Sequence, residues 1–390
     1  MTTTTRTRAR HHDRRRAAAV LACAALLSAP ALGAAAAPPA APARDGIDRR
    51  AVQRALGELT ATGAQAVQVR VTDGRRQAVL TSGSAHHERR TPVPRDGRFR
   101  AGSITKTFVA TVVLQLVAEG RVELDAPVSR HLPGLLPDGD RITVRMLLQH
   151  TSGLANYTAL IPVDPAAVPT PAAYEQVRYQ HHEARDLIAL ATARPLDFEP
   201  GTAWSYSNTG YLVLGELVEA VTGEPYASAV EQRVLEPLGL RGTSLPGDRV
   251  SLPAPHAHGY ARIGGQVVNV TRLNPSVASS AGELVSTTAD LDRFLDALLD
   301  GELLPPELLA EMKRTTEVSP AYGLGLTVAP LQCGTSVTTV YGHDGGIPGY
   351  LSTALSTEDT GERLVASLTT AADPGEFRGQ VELLAEAFCG

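Results

Sequence analysis

Ser103 and Lys106 stand three residues apart in Ser103-Ile104-Thr105-Lys106. On a helix that spacing sets both side chains on one face, their Cβ atoms about 5–6 Å apart. The chain holds only two lysines, Lys106 and Lys313, among 36 basic residues; every other cation is arginine. Arginine keeps its proton inside proteins, whereas a buried lysine can lose it. A neutral amine one turn from a hydroxyl can take the hydroxyl proton, so the pattern points to acyl transfer with Ser103 as nucleophile and Lys106 as base. A helix N-terminus at the serine adds partial positive charge for a developing oxyanion.

Two further segments carry matching chemistry. Trp204-Ser205-Tyr206-Ser207-Asn208 follows Pro200-Gly201 and precedes a helical pattern, so one loop offers a phenol and a carboxamide. Tyr206 can relay a proton to a leaving group, and Asn208 can hold a substrate carbonyl. Later, His343-Asp344-Gly345-Gly346 runs from a strand pattern into glycines, which let another backbone come close. A substrate lying along that edge would meet the Gly346 amide.

The elements that position these residues follow from pattern. Residues 103–119 read as one helix, stopped by Gly120 and apolar on nearly every side, hence buried. Before it come a helix at 47–60, strands at 66–72 and 77–81 joined through Asp73-Gly74, and a short strand at 98–101. Candidate helices lie at 144–149, 184–193, 209–221, 226–235 and 289–299, with an irregular excursion at 160–171. Strands are expected at 322–328, 336–341, 350–356 and 364–368, then a closing helix at 375–388. The fold class is therefore α/β plus all-α: an antiparallel sheet flanked by helices and built from both chain ends. Its α/β part is 47–120 and 300–390, with an inserted helical region at 121–299.

The order Ser-x-x-Lys, Tyr-x-Asn, His-x-Gly resembles the serine β-lactamase and penicillin-binding protein superfamily. The likeness is to class C β-lactamases, secreted D-alanyl-D-alanine carboxypeptidases and esterase relatives. Leu147-Leu148-Gln149-His150-Thr151-Ser152-Gly153-Leu154 is similar to a stretch of that family's helical region. So are Asn274-Pro275-Ser276 and Gly282-Glu283-Leu284-Val285-Ser286-Thr287. The resemblance implies a β-lactamase/transpeptidase-like fold over residues 47–389. It implies catalytic roles for Ser103, Lys106, Tyr206 and His343, the last standing where many relatives carry lysine. It implies substrate contacts from Asn208, Asp344, Gly345 and Gly346, and an oxyanion hole from the Ser103 and Gly346 amides.

Composition bounds the rest. Residues 1–16 hold six arginines, an apolar run follows at 17–32 and small residues at 33–37. That is the pattern of a secretory signal peptide at 1–37, leading into a Pro- and Ala-rich linker at 38–46, so secretion with no stable membrane anchor after cleavage is expected. Export by the Sec or the twin-arginine route is left open. Without residues 1–37 the chain has 30 basic against 40 acidic residues, a net charge of −10, which speaks against nucleic-acid binding. Cys333 and Cys389 remain, and an oxidising compartment favours their disulfide. No phosphate loop or dinucleotide fingerprint is present, so no cofactor is expected. His86-His87, His181-His182 and His256-x-His258 lack a matching carboxylate or cysteine set, so no metal is expected.

Substrate class is bounded by two departures. Relatives that cleave D-alanyl peptides or β-lactams often carry a hydroxyl residue mid-motif and, in some, a nearby arginine; here Asp344 stands mid-motif and no arginine occurs from 324 to 358. If Asp344 faces the substrate it repels a carboxylate. The expected protein is a D-alanyl-D-alanine carboxypeptidase-type serine hydrolase acting on a peptidoglycan stem peptide, a β-lactam or an ester. An esterase or β-lactamase of the same fold is the near alternative, and a non-turnover penicillin-binding or sensor module the distant one.

Overall fold

Alternating apolar residues make a hairpin near the start of the chain. Helix Arg49–Ala61 (α1) is followed by Ala64–Asp73 (β1) and Arg76–Gly83 (β2), which turn at Gly74 with a φ of 54°. The computed structural model describes residues 46–162, 164–370 and 378–389. The expected signal segment 1–37 and nearly all of the linker 38–46 lie outside the described residues.

Phe99–Arg100 (β3) leads through a 3-10 turn, Gly102–Ile104, into Thr105–Ala118 (α2). The helical region holds Val144–Leu148 (α3), Pro171–Val177 (α4), Ala184–Thr192 (α5), Asn208–Thr222 (α6), Tyr226–Val230 (α7) and Glu236–Leu238 (α8). A small hairpin of Tyr260–Ile263 (β4) and Gln266–Asn269 (β5) follows, then Val285–Ser286 (β6), Thr288–Leu299 (α9) and Pro306–Lys313 (α10). Thr327–Cys333 (β7), Ser336–Ile347 (β8), Tyr350–Thr357 (β9) and Glu362–Thr370 (β10) run back and forth before Gln380–Phe388 (α11).

The main sheet has six strands in the order β2-β1-β10-β9-β8-β7, antiparallel throughout. Both chain ends therefore build one sheet, and the helical region is inserted between them. Each face has its own cover. On one, Leu56 and Leu59 of α1 and Leu383 of α11 pack on Val67, Leu355 and Leu364. On the other lie α2, the helical region and α9, with Phe108 and Phe294 stacked at 3.7 Å between ring centroids. A buried ion pair, Arg363 to Asp292 at 3.0 Å, ties α9 to β10, and the Thr72 hydroxyl donates to the same carboxylate.

Several elements depart from the sequence pattern. The serine helix begins at Thr105, because Gly102 takes a φ of 53° and tightens the chain into a 3-10 turn first. The strand expected at 322–328 is displaced to β7, since Gly325 bends against α2 and its carbonyl accepts from Thr107 Oγ1 at 2.8 Å. β8 runs on through the histidine segment to Ile347 rather than stopping at 341. The closing helix starts at Gln380 rather than 375; residues 371–377 lie outside the described residues. Cys333 and Cys389 stand with their sulfurs 2.07 Å apart, joining α11 to β7. Among the described residues no helix is long and apolar enough to cross a membrane.

Candidate active site

Ser103 sits on a turn that the surrounding backbone grips from two sides. A Cβ at Gly102 would stand 2.7 Å from the Gly346 nitrogen, so only glycine lets the serine turn come this close to β8. Gly345 is equally constrained: a Cβ there would lie 1.9 Å from the Ala101 carbonyl oxygen. On the far side, Ala101 N–H donates to the Leu284 carbonyl at 2.8 Å, and Leu284 N–H donates to Thr105 Oγ1 at 3.0 Å. The short pairing of β3 with β6 completes the brace. This explains the segment Gly282–Thr287 in the motif set: it holds the serine turn against the sheet. The serine turn is thereby held against the Gly346 backbone.

Lys106 is fully buried on α2. Its Nζ lies 2.7 Å from Asn208 Oδ1, 2.6 Å from the Ala281 carbonyl oxygen and 3.0 Å from Ser103 Oγ. Two of these neighbours can only accept. In a neutral amine they take both hydrogens, and the lone pair is left for the Ser103 hydroxyl. In the protonated amine all three neighbours accept. The geometry serves both ends of a proton transfer without moving a heavy atom. The Ala281 carbonyl is set by the 3-10 turn Ser279–Ala281, which docks on α6 through Ser280 Oγ to the Tyr211 carbonyl at 2.9 Å.

Tyr206 and Asn208 arrive just before and at the start of α6. The Tyr206 ring centroid is 4.9 Å from Lys106 Nζ. Asn208 turns its Oδ1 to the amine, and its Nδ2 donates to Asn156 Oδ1 at 3.3 Å. The carboxamide orientation is thus fixed by its partners, and its second Nδ2 hydrogen is left for a substrate carbonyl.

The third motif requires one correction, at Asp344. Strand alternation puts His343 and Gly345 on the site face of β8 and Asp344 on the opposite face. His343 Nδ1 lies 2.5 Å from the Asp344 carbonyl oxygen, which can only accept, so Nδ1 carries the proton and Nε2 accepts from Tyr322 O–H at 2.8 Å. Both nitrogens are spent within the protein. Burial, and then the charge of Lys106, push the imidazole down to about 3. His343 thus stands as a neutral imidazole beside Tyr206, at 6.4 Å between ring centroids. Asp344 does not face substrate. Its carboxylate accepts from the Thr353 hydroxyl and lines an apolar cleft with Leu59, Val67, Leu351 and Leu383 under α1 and α11. Burial pushes it up to about 6. The expected repulsion of a substrate carboxylate by Asp344 falls with that placement.

Ser103, Lys106, Tyr206, Asn208, His343, Gly345 and Gly346 are brought together; Asp344 is not. Three contributors carry no sequence signal of their own. Asn156 acts through Asn208, Ala281 through a main-chain carbonyl, and Tyr322 through His343. Tyr322 falls within the run first read as a strand, and its phenol is held protonated, well above the usual range, by burial and by Tyr211.

Comparison with known proteins follows the same lines. The sequence model of the Beta-lactamase family matches residues 50–387. Esterase EstB of Burkholderia gladioli is 30% identical over 313 residues, covering 71% of this chain and 78% of the esterase. A D-stereospecific amidohydrolase from Streptomyces sp. superposes with a TM-score of 0.79 at 42% identity, covering 88% of this chain and 99% of that one. The D-amino acid amidase of Ochrobactrum anthropi SV3, solved with L-phenylalanine, gives a TM-score of 0.73 at 30% identity, over 86% of this chain and 96% of that one.

Proposed function

This chain belongs to the β-lactamase family of serine hydrolases, and on that premise we propose that it is a secreted amidohydrolase acting on D-configured acyl donors. The observation that carries the acyl-enzyme step is the arrangement at Lys106: two fixed acceptors for its hydrogens and the third direction aimed at Ser103 Oγ. In the proposed cycle Lys106 takes the Ser103 proton and Oγ attacks the substrate carbonyl carbon. The oxyanion meets the Ser103 and Gly346 amides. Tyr206, beside the newly charged amine, gives its proton to the departing nitrogen and is reprotonated by Lys106. Water then attacks the ester carbon and returns Ser103 with its hydrogen.

Likeness to the Streptomyces amidohydrolase and the Ochrobactrum amidase supports the D-configuration. The leaving group is read as neutral, which narrows the carboxypeptidase expectation. A carboxylate on the leaving group wants a cation from the third motif, and His343 is uncharged there. Ester hydrolysis uses the same steps with an alcohol departing. The Arg-rich, then apolar, start of the chain supports secretion.

The test is a panel of D- and L-phenylalanine amide, a D-alanyl-D-alanine peptide, a neutral p-nitrophenyl ester and a penicillin, run beside Ser103→Ala. The reading expects the D-amide and the ester to turn over, the L-amide to lag, and Ser103→Ala to be inert. Preference for the anionic peptide returns the protein to the carboxypeptidase class. A lasting penicillin adduct on Ser103 without turnover of any substrate makes it a capture module.

A further inference from the structure

His150 has no part in the cycle above, yet its buried ring lies among four aromatic side chains of the site. Centroid distances are 4.2 Å to Tyr206, 4.8 Å to Tyr322, 5.3 Å to Tyr211 and 6.1 Å to Trp204. It follows α3 with a φ of 61°, a left-handed conformation that a bulky side chain adopts only where the surroundings enforce it. That conformation serves two bonds. The main-chain carbonyl of His150 accepts from Ser205 N–H at 3.0 Å, and its Nδ1 accepts from Ser207 N–H at 3.2 Å.

We infer that His150 is a positioning residue for Tyr206, gripping the chain on both sides of the phenol. Accepting from Ser207 places the imidazole proton on Nε2, and that nitrogen is buried without a hydrogen-bond partner. An unpaired buried donor is costly, and so is the left-handed backbone. Both are tolerated at one residue whose two acceptors fix the amides before and after Tyr206. Burial, then the charge of Lys106, hold the ring neutral, which keeps Nδ1 an acceptor. The inference rests on the reading of Tyr206 as a proton carrier.

The experiment is a double-mutant cycle on hydrolysis of a neutral p-nitrophenyl ester. His150→Gly suits the backbone conformation and keeps the carbonyl, but removes Nδ1. Its kcat is expected to fall by about 100-fold, the cost of misplacing a catalytic group by about 1 Å, with KM little changed. His150→Asn tolerates positive φ and offers Oδ1 to Ser207, so it should recover most of that loss. In a Tyr206→Phe background, adding His150→Gly should cost nothing further. Full activity in His150→Gly, or losses that multiply with Tyr206→Phe, overturns the inference. Full activity in Tyr206→Phe alone also overturns it, while an inert Ser103→Ala would leave the acyl-enzyme reading standing. If His150→Gly fails to fold, 15N NMR of the histidine-labelled wild-type protein decides. A bare, hydrogen-bonded Nδ1 and a protonated Nε2 are expected, and an Nδ1–H tautomer or an imidazolium refutes the clamp.

Discussion

The two faces of β8 treat neighbouring ionisable residues in opposite ways. On the site face, burial drives the His343 imidazole down to about 3; on the back face, burial drives the Asp344 carboxyl up to about 6. In both places the low-dielectric surroundings reject charge. What differs is what the neutral group then does. His343 is bonded at both nitrogens and stands beside Tyr206 in the wall of the site that holds Lys106. Asp344 accepts from the Thr353 hydroxyl in a mostly apolar cleft that Gln380 also lines. One face is built to manage a proton, the other to hold helices.

That contrast can be broken most sharply at Lys106. Replacing it by Met should lower kcat on a neutral ester by at least about 1,000-fold, within the range expected for losing a positioned base, while the thermal midpoint holds. Substantial residual turnover would dissolve the distinction between the faces. On the back face, Cys389→Ala opens a disulfide that spans a sequence separation of 56. Stability should fall by up to about 4 kcal/mol on the chain-entropy account, read by urea unfolding, with the acylation rate of folded enzyme unchanged.

Asp344→Asn sharpens the comparison through pH. With a native value of about 6 against an ordinary 3.8, folded Asp344 holds more proton than the unfolded chain between those values, so wild-type stability falls as pH rises through that window. His343 acts the other way. Its native value is about 3 against an ordinary 6.5, so the unfolded chain holds more proton in between, and stability rises with pH. The two slopes oppose each other where the windows overlap. Asp344→Asn should therefore melt higher than wild type above pH 6, match it near pH 4, and show a steeper rise between. Identical melting profiles would mean that Asp344 titrates normally. The smallest effect is expected from Tyr322→Phe, which removes the donor to His343 Nε2. A loss of about tenfold in kcat, in line with one buried hydrogen bond, with the basic limb of the pH profile unmoved, would agree with His343 as a wall. A shift of that limb would restore it as a proton carrier.

How much of this the residues announce depends on the kind of interaction. Ser103, Lys106, Tyr206 and Asn208 were legible because side-chain chemistry at short spacing is local information. The sheet built from both chain ends was legible because strand patterns cluster at the two ends. The side of β8 on which Asp344 points is not legible, since the strand pattern in the sequence breaks off at Tyr341. Had the strand been run on, simple alternation from Tyr341 would have put Asp344 opposite His343. The roles of the Ala281 carbonyl and of Asn156 were invisible for a different reason. They act through a main-chain atom and through another side chain, and no residue type marks such service. The β4–β5 hairpin is hidden within the largely helical pattern around it, because four-residue strands carry too little alternation to stand out.

Pairing β1 with β10 has a consequence for how the molecule comes into being. Val69 finds Ala366 only after almost the whole polypeptide has been made. Such distant pairings are slow to form, since the intervening chain must first give up its freedom. Ser103, Lys106, Tyr206 and Asn208 all leave the ribosome well before Gly346, against whose backbone the serine turn must rest. A half-made chain therefore owns its nucleophile but not the cradle for the charge that the nucleophile creates. The contact between the serine turn and Gly346 is therefore among the last to become possible as the chain is made.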